Sequence, residues 1–157
     1  MVLLRACEIS KIKFIHIRKV VRLIGRTLKL SNSRDYNEEV LNNLLRLYSH
    51  SNFKKLVRKR TCYILKLDKK IIGTVCIRKN RVYTLFVDPD YQGNGYGKML
   101  LEFAESKIME NGYVTVELSA SLTARNFYRS MGYRELDYEK DNSYGDVINM
   151  EKRLIDI

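Results

Sequence analysis

Hydrophobic residues follow two different rhythms along this chain. Before about residue 60 they recur every three or four positions. Phe14, Ile17, Val20 or Val21, Ile24 and Leu28 predict a helix starting near Ser10, and Val40, Leu41, Leu44 and Leu47 or Tyr48 predict a second over Asn37 to Ser49. Asn52 reads as the N-cap of a short third helix, and Val2 to Arg5 as a short leading strand. From Thr61 the pattern becomes short runs of β-formers, Tyr63 to Leu67, Ile71 to Ile77 and Val82 to Val87, separated by charged or Asn-containing turns. An antiparallel meander is expected there. A helix over Gly97 to Glu110, with Met99 or Leu100, Phe103 and Ile108 inward, is stopped by Asn111-Gly112. A strand follows over Val114 to Ser119, then a helix over Thr123 to Met131 ended by Gly132. Strands over Tyr133 to Glu139 and Val147 to Arg153 flank the polar loop Lys140 to Asp146. The strand-helix-strand passage around 97–110 predicts a parallel, adjacent strand pair within an otherwise mostly antiparallel sheet.

The sequence has 157 residues, one proline and no low-complexity linker, so one domain over 1–157 is expected. No apolar run approaches the ~20 residues of a membrane span, and the N-terminus lacks a signal-like segment. The expectation is a cytoplasmic protein without a membrane partner, its oligomeric state open and a homodimer included. Three cysteines without a C-x-x-C pair favour neither a disulfide framework nor a zinc site. Cys62 and Cys76 fall opposite each other if Leu67 pairs with Ile71, and are expected as free core thiols; no metal is expected. Net charge is +11 and unevenly spread: residues 1–79 hold 20 Lys/Arg against 5 Asp/Glu, and residues 80–157 hold 9 against 13. Arg18, Arg22, Arg26 and Lys29 make a cationic stripe on the first helix. The basic half points to an anionic partner.

Gln92-Gly93-Asn94-Gly95-Tyr96-Gly97 lies between a predicted strand and the helix that follows. Alternating glycines allow positive φ and close approach to a ligand, and free helix N–H groups behind them suit an anion such as pyrophosphate. A Walker A loop is excluded because Gly97-Lys98 is followed by Met99 and Gln92 stands where its first glycine is required. The dinucleotide fingerprint fails at Lys98.

The stretch Val87-Asp88-Pro89-Asp90-Tyr91-Gln92-Gly93-Asn94-Gly95-Tyr96-Gly97 resembles the central motif V-x-P-x-x-[QR]-x-x-G-x-[GA] of the GNAT superfamily of acyl-CoA-dependent N-acetyltransferases. A second block, Ala124 to Tyr133, resembles the family's A-x-x-x-Y-x-x-x-G-[FY], and Met150 to Leu154 resembles its last strand. The order β-α-α-β-β-β-α-β-α-β-β also matches. The resemblance implies an α/β GNAT fold with four to five helices flanking the sheet and acetyl-CoA as cosubstrate. It assigns the cofactor to the loop Gln92, Gly93, Asn94, Gly95, Tyr96, Gly97 and Lys98, to the backbone of Leu85, Phe86 and Val87, and to Asn126, with Arg125 a further candidate. Tyr128 matches the tyrosine that protonates the leaving thiolate in many members.

A general base is harder to place, because the strand 82–87 carries no carboxylate. Glu117 is the best candidate, with an outward-facing surface residue the alternative; Tyr83 and Thr84 holding a water are another route. His16 and His50 read as surface or packing residues. The expected function is acetyl transfer to a primary amine by direct attack in a ternary complex, with an anionic or tRNA-linked acceptor suggested by the basic half. The alternative is a nucleic-acid-binding protein that keeps the fold with little or no catalysis.

Overall fold

The computed structural model describes residues 5–155. Seven strands form one sheet in the order β1-β2-β3-β4-β5-β7-β6. Their ranges are β1 Cys7–Lys11, β2 Thr61–Leu67, β3 Lys70–Arg78, β4 Arg81–Val87, β5 Thr115–Ser121, β6 Arg134–Glu139 and β7 Val147–Arg153. The helices are α1 Ile17–Leu30, α2 Glu38–Leu47, α3 His50–Lys59, α4 Tyr96–Glu110 and α5 Arg125–Ser130. Every strand pair is antiparallel except β4 and β5.

Alternation along the central strands sends consecutive residues to opposite faces. Leu65 and Ile72 pack with Leu100, Leu101, Ala104 and Ile108 of α4, while Ile64 and Ile71 pack with Ile17, Val20, Ile24 and Phe53 from α1 and α3. The sheet therefore carries a core on each face. Gly73 sets the approach of α4: a Cβ there would stand 2.7 Å from Leu100 Cδ1 and 3.2 Å from the Phe86 carbonyl oxygen.

Several boundaries depart from the expectations. The leading strand at Val2 to Arg5 lies, apart from Arg5, outside the described residues; the first observed strand begins at Cys7 and occupies the start of the expected first helix. There β1 pairs along the whole of Cys7–Lys11 with β2, so tertiary pairing overrides the helical spacing. Asn52 is not an N-cap. Ser49 takes that position, its Oγ accepting from the Asn52 N–H at 3.3 Å, and Asn52 sits in the first turn. Of the two alternatives offered for the inward position, Leu100 fills the core and Met99 is exposed. His16 is buried and its Nδ1 accepts from the Lys13 N–H at 3.0 Å.

The cysteine expectation is also corrected. Leu67 pairs with Lys70 rather than Ile71, giving a two-residue turn at Asp68-Lys69 with both φ positive. An irregularity after Leu65 restores the register, so Cys62 and Cys76 still face each other. They are not free thiols but a buried cross-strand disulfide, with Cα atoms 4.0 Å apart. Directly opposed side chains on neighbouring strands are close enough for that bond. Cys7 is the remaining free cysteine and is exposed.

Candidate active site

A seam in the middle of the sheet positions the site. The parallel strands β4 and β5 share a single paired position, Arg81 with Glu117, supported by the Glu117 N–H donating to the Asn80 carbonyl at 3.0 Å. Beyond it they part, and a cleft of about 880 Å³ opens between them. A bulge in β4 helps to make the gap. Thr84 and Leu85 stand opposite the single residue Val75 of β3, and Thr84 takes φ 54°, a conformation costly for a β-branched residue. On the far side of the bulge the Asp88 N–H donates to the Ile72 carbonyl at 2.7 Å. By ladder alternation this turns the main chain of Phe86 toward β3 and that of Val87 toward the open seam.

The glycine loop forms one end of the cleft. Asp88 opens it, taking the Asp90 N–H on Oδ1 at 3.0 Å and the Arg26 guanidinium on Oδ2 at 2.7 Å. Gly93 and Gly95 have φ of +77° and +86°, and a Cβ on either would meet nothing within 4 Å, so their outer side is open. Gly95 is the N-cap of α4, whose first intrahelical bond runs from the Met99 N–H to the Gly95 carbonyl at 3.0 Å. The N–H groups of Tyr96, Gly97 and Lys98 precede that bond and are free for an anion, with the helix dipole adding to the attraction. Lys98 is the loop's cation.

Two loop side chains have internal duties. Gln92 Nε2 donates to the Val87 carbonyl at 3.0 Å, and Asn94 Nδ2 donates to the carbonyls of Tyr91 (3.2 Å) and Gln92 (3.1 Å). The Val87 carbonyl also accepts from Thr27 Oγ1 at 3.4 Å, which leaves the Val87 N–H as its free seam group. Asn94 does not line the cleft, whereas Leu85, Phe86, Val87, Gln92, Gly93, Gly95, Tyr96, Gly97 and Lys98 do.

Tyr128, on α5, lies across the seam and lines the same cleft. Its ring packs between Phe127 and Tyr133, centroids 5.1 and 5.7 Å away. Burial pushes its phenol well above the ordinary value, so it stays protonated throughout the neutral range. Asn126 is exposed and does not line the cleft, and Arg125 is drawn to Glu135, its Nη2 donating to Oε2 at 2.9 Å.

Glu117 does not line the cleft that holds Tyr128. It lies in a neighbouring depression with Asp137, Glu139 and Asn149, is half-exposed, and pairs with Arg81 at 3.4 Å. Among the described residues no aspartate, glutamate or histidine lines the main cleft. Its charged side chains are Arg60, Arg81 and Lys98, and its other end is built from Tyr36, Tyr48, Tyr83 and Tyr144. No local pattern marks Arg60 as a cleft residue, because it ends a run of helix cations.

A family profile described as acetyltransferase (GNAT) domain matches residues 32–154. A curated relative, the [ribosomal protein bS18]-alanine N-acetyltransferase of Haemophilus influenzae, is 31% identical over 80 residues, which cover 47% of this chain and 55% of the relative; the match thus spans about half of that protein. A GCN5-related N-acetyltransferase structure from Rhodopseudomonas palustris superposes with a TM-score of 0.89 at 17% identity, over 98% of this chain and all (100%) of that one. The PaiA N-acetyltransferase of Thermoplasma acidophilum, solved with coenzyme A, gives a TM-score of 0.78 at 23% identity over 94% of this chain and 99% of that one.

Proposed function

Because the chain belongs to the GNAT acetyltransferase domain family, we propose that it transfers the acetyl group of acetyl-CoA to a primary amine in a ternary complex. The observation that carries this reading is the seam, with an open anion cradle at one end and a buried, protonated phenol facing the same cleft. The cradle fits a pyrophosphate: the outer sides of Gly93 and Gly95 are empty and three helix N–H groups precede the first intrahelical bond. The Val87 N–H offers a main-chain partner to a pantetheine amide.

In this reaction the amine nitrogen attacks the thioester carbonyl carbon, the C–N bond forms, the C–S bond breaks and the sulfur leaves as a thiolate that gains a proton. Tyr128 donates a hydrogen bond to the developing thiolate. An ordinary thiol has a pKa of about 8.5, well below that of this phenol, so complete transfer from Tyr128 is uphill and the final proton comes from water. The amine in turn releases its proton to water, because no carboxylate or imidazole lines the cleft among the described residues. Glu117 serves as a positioning residue that holds Arg81. The curated relative's name, which specifies alanine of a ribosomal protein, supports an amino-acid or peptide amine as the acceptor class.

Calorimetric titration of acetyl-CoA tests the reading, with Gly95→Glu and Lys98→Ala as companions. Binding by the wild type, abolished in Gly95→Glu and weakened in Lys98→Ala with thermal unfolding unchanged in the latter, is expected. No binding by the wild type overturns the proposal.

A further inference from the structure

Arg60 is a half-buried cation with an unusual set of neighbours. It caps the C-terminal end of α3, and its guanidinium lies 3.9 Å from the centroid of the Tyr83 ring in the wall of the cleft. Its one side-chain hydrogen bond among the described residues runs from Nη1 to Thr84 Oγ1 at 3.4 Å, the long limit of such a bond. Arg26, Arg81, Arg125, Arg129 and Arg134 all have a carboxylate partner. Arg60 has none within 4.0 Å among the described residues.

Withdrawing a cation from water without a counter-ion is costly. Stacking on Tyr83 offsets part of that cost and holds the guanidinium plane in place. The stacked face is then occupied, and the N–H edge remains for a planar, bidentate acceptor. Arg81 stands 5.7 Å from the same ring and is tied back by Glu117 at 3.4 Å and Ser119 at 3.0 Å. Among the described residues no acidic side chain lines the cleft, and Arg60 and Arg81 are the charged groups of this end. The second amine of a polyamine would find no lining carboxylate there.

We propose that the acceptor is an aminocarboxylate, an amino acid or short peptide whose own carboxylate is held by Arg60 while its amine faces the thioester. This rests on the acetyltransferase reading above. The arrangement also assists the missing base, since a cationic wall lowers the pKa of an amine bound beside it and favours the neutral nucleophile.

Initial rates with paired acceptors decide the matter: amino acids and dipeptides as free acids and as the corresponding amides, with spermidine and an aminoalkyl phosphonate as further arms. The acids should exceed their amides in kcat/KM by about tenfold to a hundredfold, the worth of a hydrogen bond to a charged group, and spermidine should be a poor acceptor. In Arg60→Met that preference should fall to about unity through KM, with the acetyl-CoA dissociation constant unchanged; Arg60→Lys should recover only part of it. Equal use of acids and amides by the wild type, or a preference that survives Arg60→Met, overturns the proposal. A phosphonate preferred over the carboxylate overturns the carboxylate assignment. The wild-type comparison stands even where a variant fails to fold. Acetyl-CoA binding with acids and amides used equally removes the Arg60 anchor alone, whereas failure to bind acetyl-CoA removes the acetyltransferase reading.

Discussion

At the scale of single residues, Tyr128 shows how burial sets a chemical role. Its phenol sits in an aromatic cluster and is held protonated by desolvation. The change Tyr128→Phe keeps the ring and removes the donor, so kcat should fall by about tenfold to a hundredfold, the worth of a hydrogen bond to a charged thiolate, while acetyl-CoA affinity from calorimetry stays the same. Because the phenol resists ionisation, the wild-type rate should show no loss attributable to Tyr128 up to pH ~10, where a free phenol would titrate. A rate equal to wild type in the variant would remove Tyr128 from the reaction. In the sequence this role is implied only by resemblance to the family's second block, in which Tyr128 lies four residues after Ala124 and four before Gly132. Arg60 was not legible, because its meaning depends on Tyr83, 23 positions further along the chain, and no local pattern encodes the stacking of a guanidinium on a ring that far away in sequence.

Among the elements, the packing of α4 on β3 depends on one missing side chain. Gly73→Ala would press a methyl against Leu100 Cδ1 and the Phe86 carbonyl oxygen, the second of which belongs to the strand bordering the cleft. Overpacking of this kind costs about 1–3 kcal/mol. Urea denaturation should show that loss, accompanied by weaker acetyl-CoA binding if β4 is displaced. The strands of the meander were legible because their alternation is supported by burial on both faces, and five of the helices' core positions, Ile17, Val20, Ile24, Val40 and Leu44, fell where the 3.6-residue period put them. The first strand was not. Cys7–Lys11 overlaps the expected helix only at Ser10 and Lys11 and is made a strand by pairing with β2, a partner more than 50 positions away. The expected cationic stripe of α1 is likewise altered by tertiary structure, since Arg26 leaves it to hold Asp88 and Asp90 at the mouth of the glycine loop. The bulge at Thr84 has no sequence signature either, because threonine is a poor candidate for positive φ.

For the molecule as a whole, buried titratable groups set the pH limits of stability. Desolvation raises the phenols of Tyr128 and Tyr133, the second also through nearby Glu105. A raised phenol keeps its proton in the fold when the unfolded chain has released it. The corresponding stability is fully present below pH ~10 and is lost as pH rises above it. His16 acts at the other end: burial and neighbouring lysines lower its pKa, so the unfolded chain takes up the proton first and stability declines as pH falls below ~6.5. Thermal unfolding across pH 5 to 11 should show both shoulders, with Tyr133→Phe softening the alkaline one. That variant should cost little otherwise, because among the described residues the buried Tyr133 hydroxyl has no hydrogen-bond partner of normal geometry. The seam between β4 and β5 has a last consequence. A sheet joined at its centre by one residue pair is two half-sheets with two internal edges, each offering main-chain groups to whatever enters. On the proposed reading, the spaced amides of pantetheine would meet these edges as an added strand does, and the ladder would be completed by the molecule the reaction consumes.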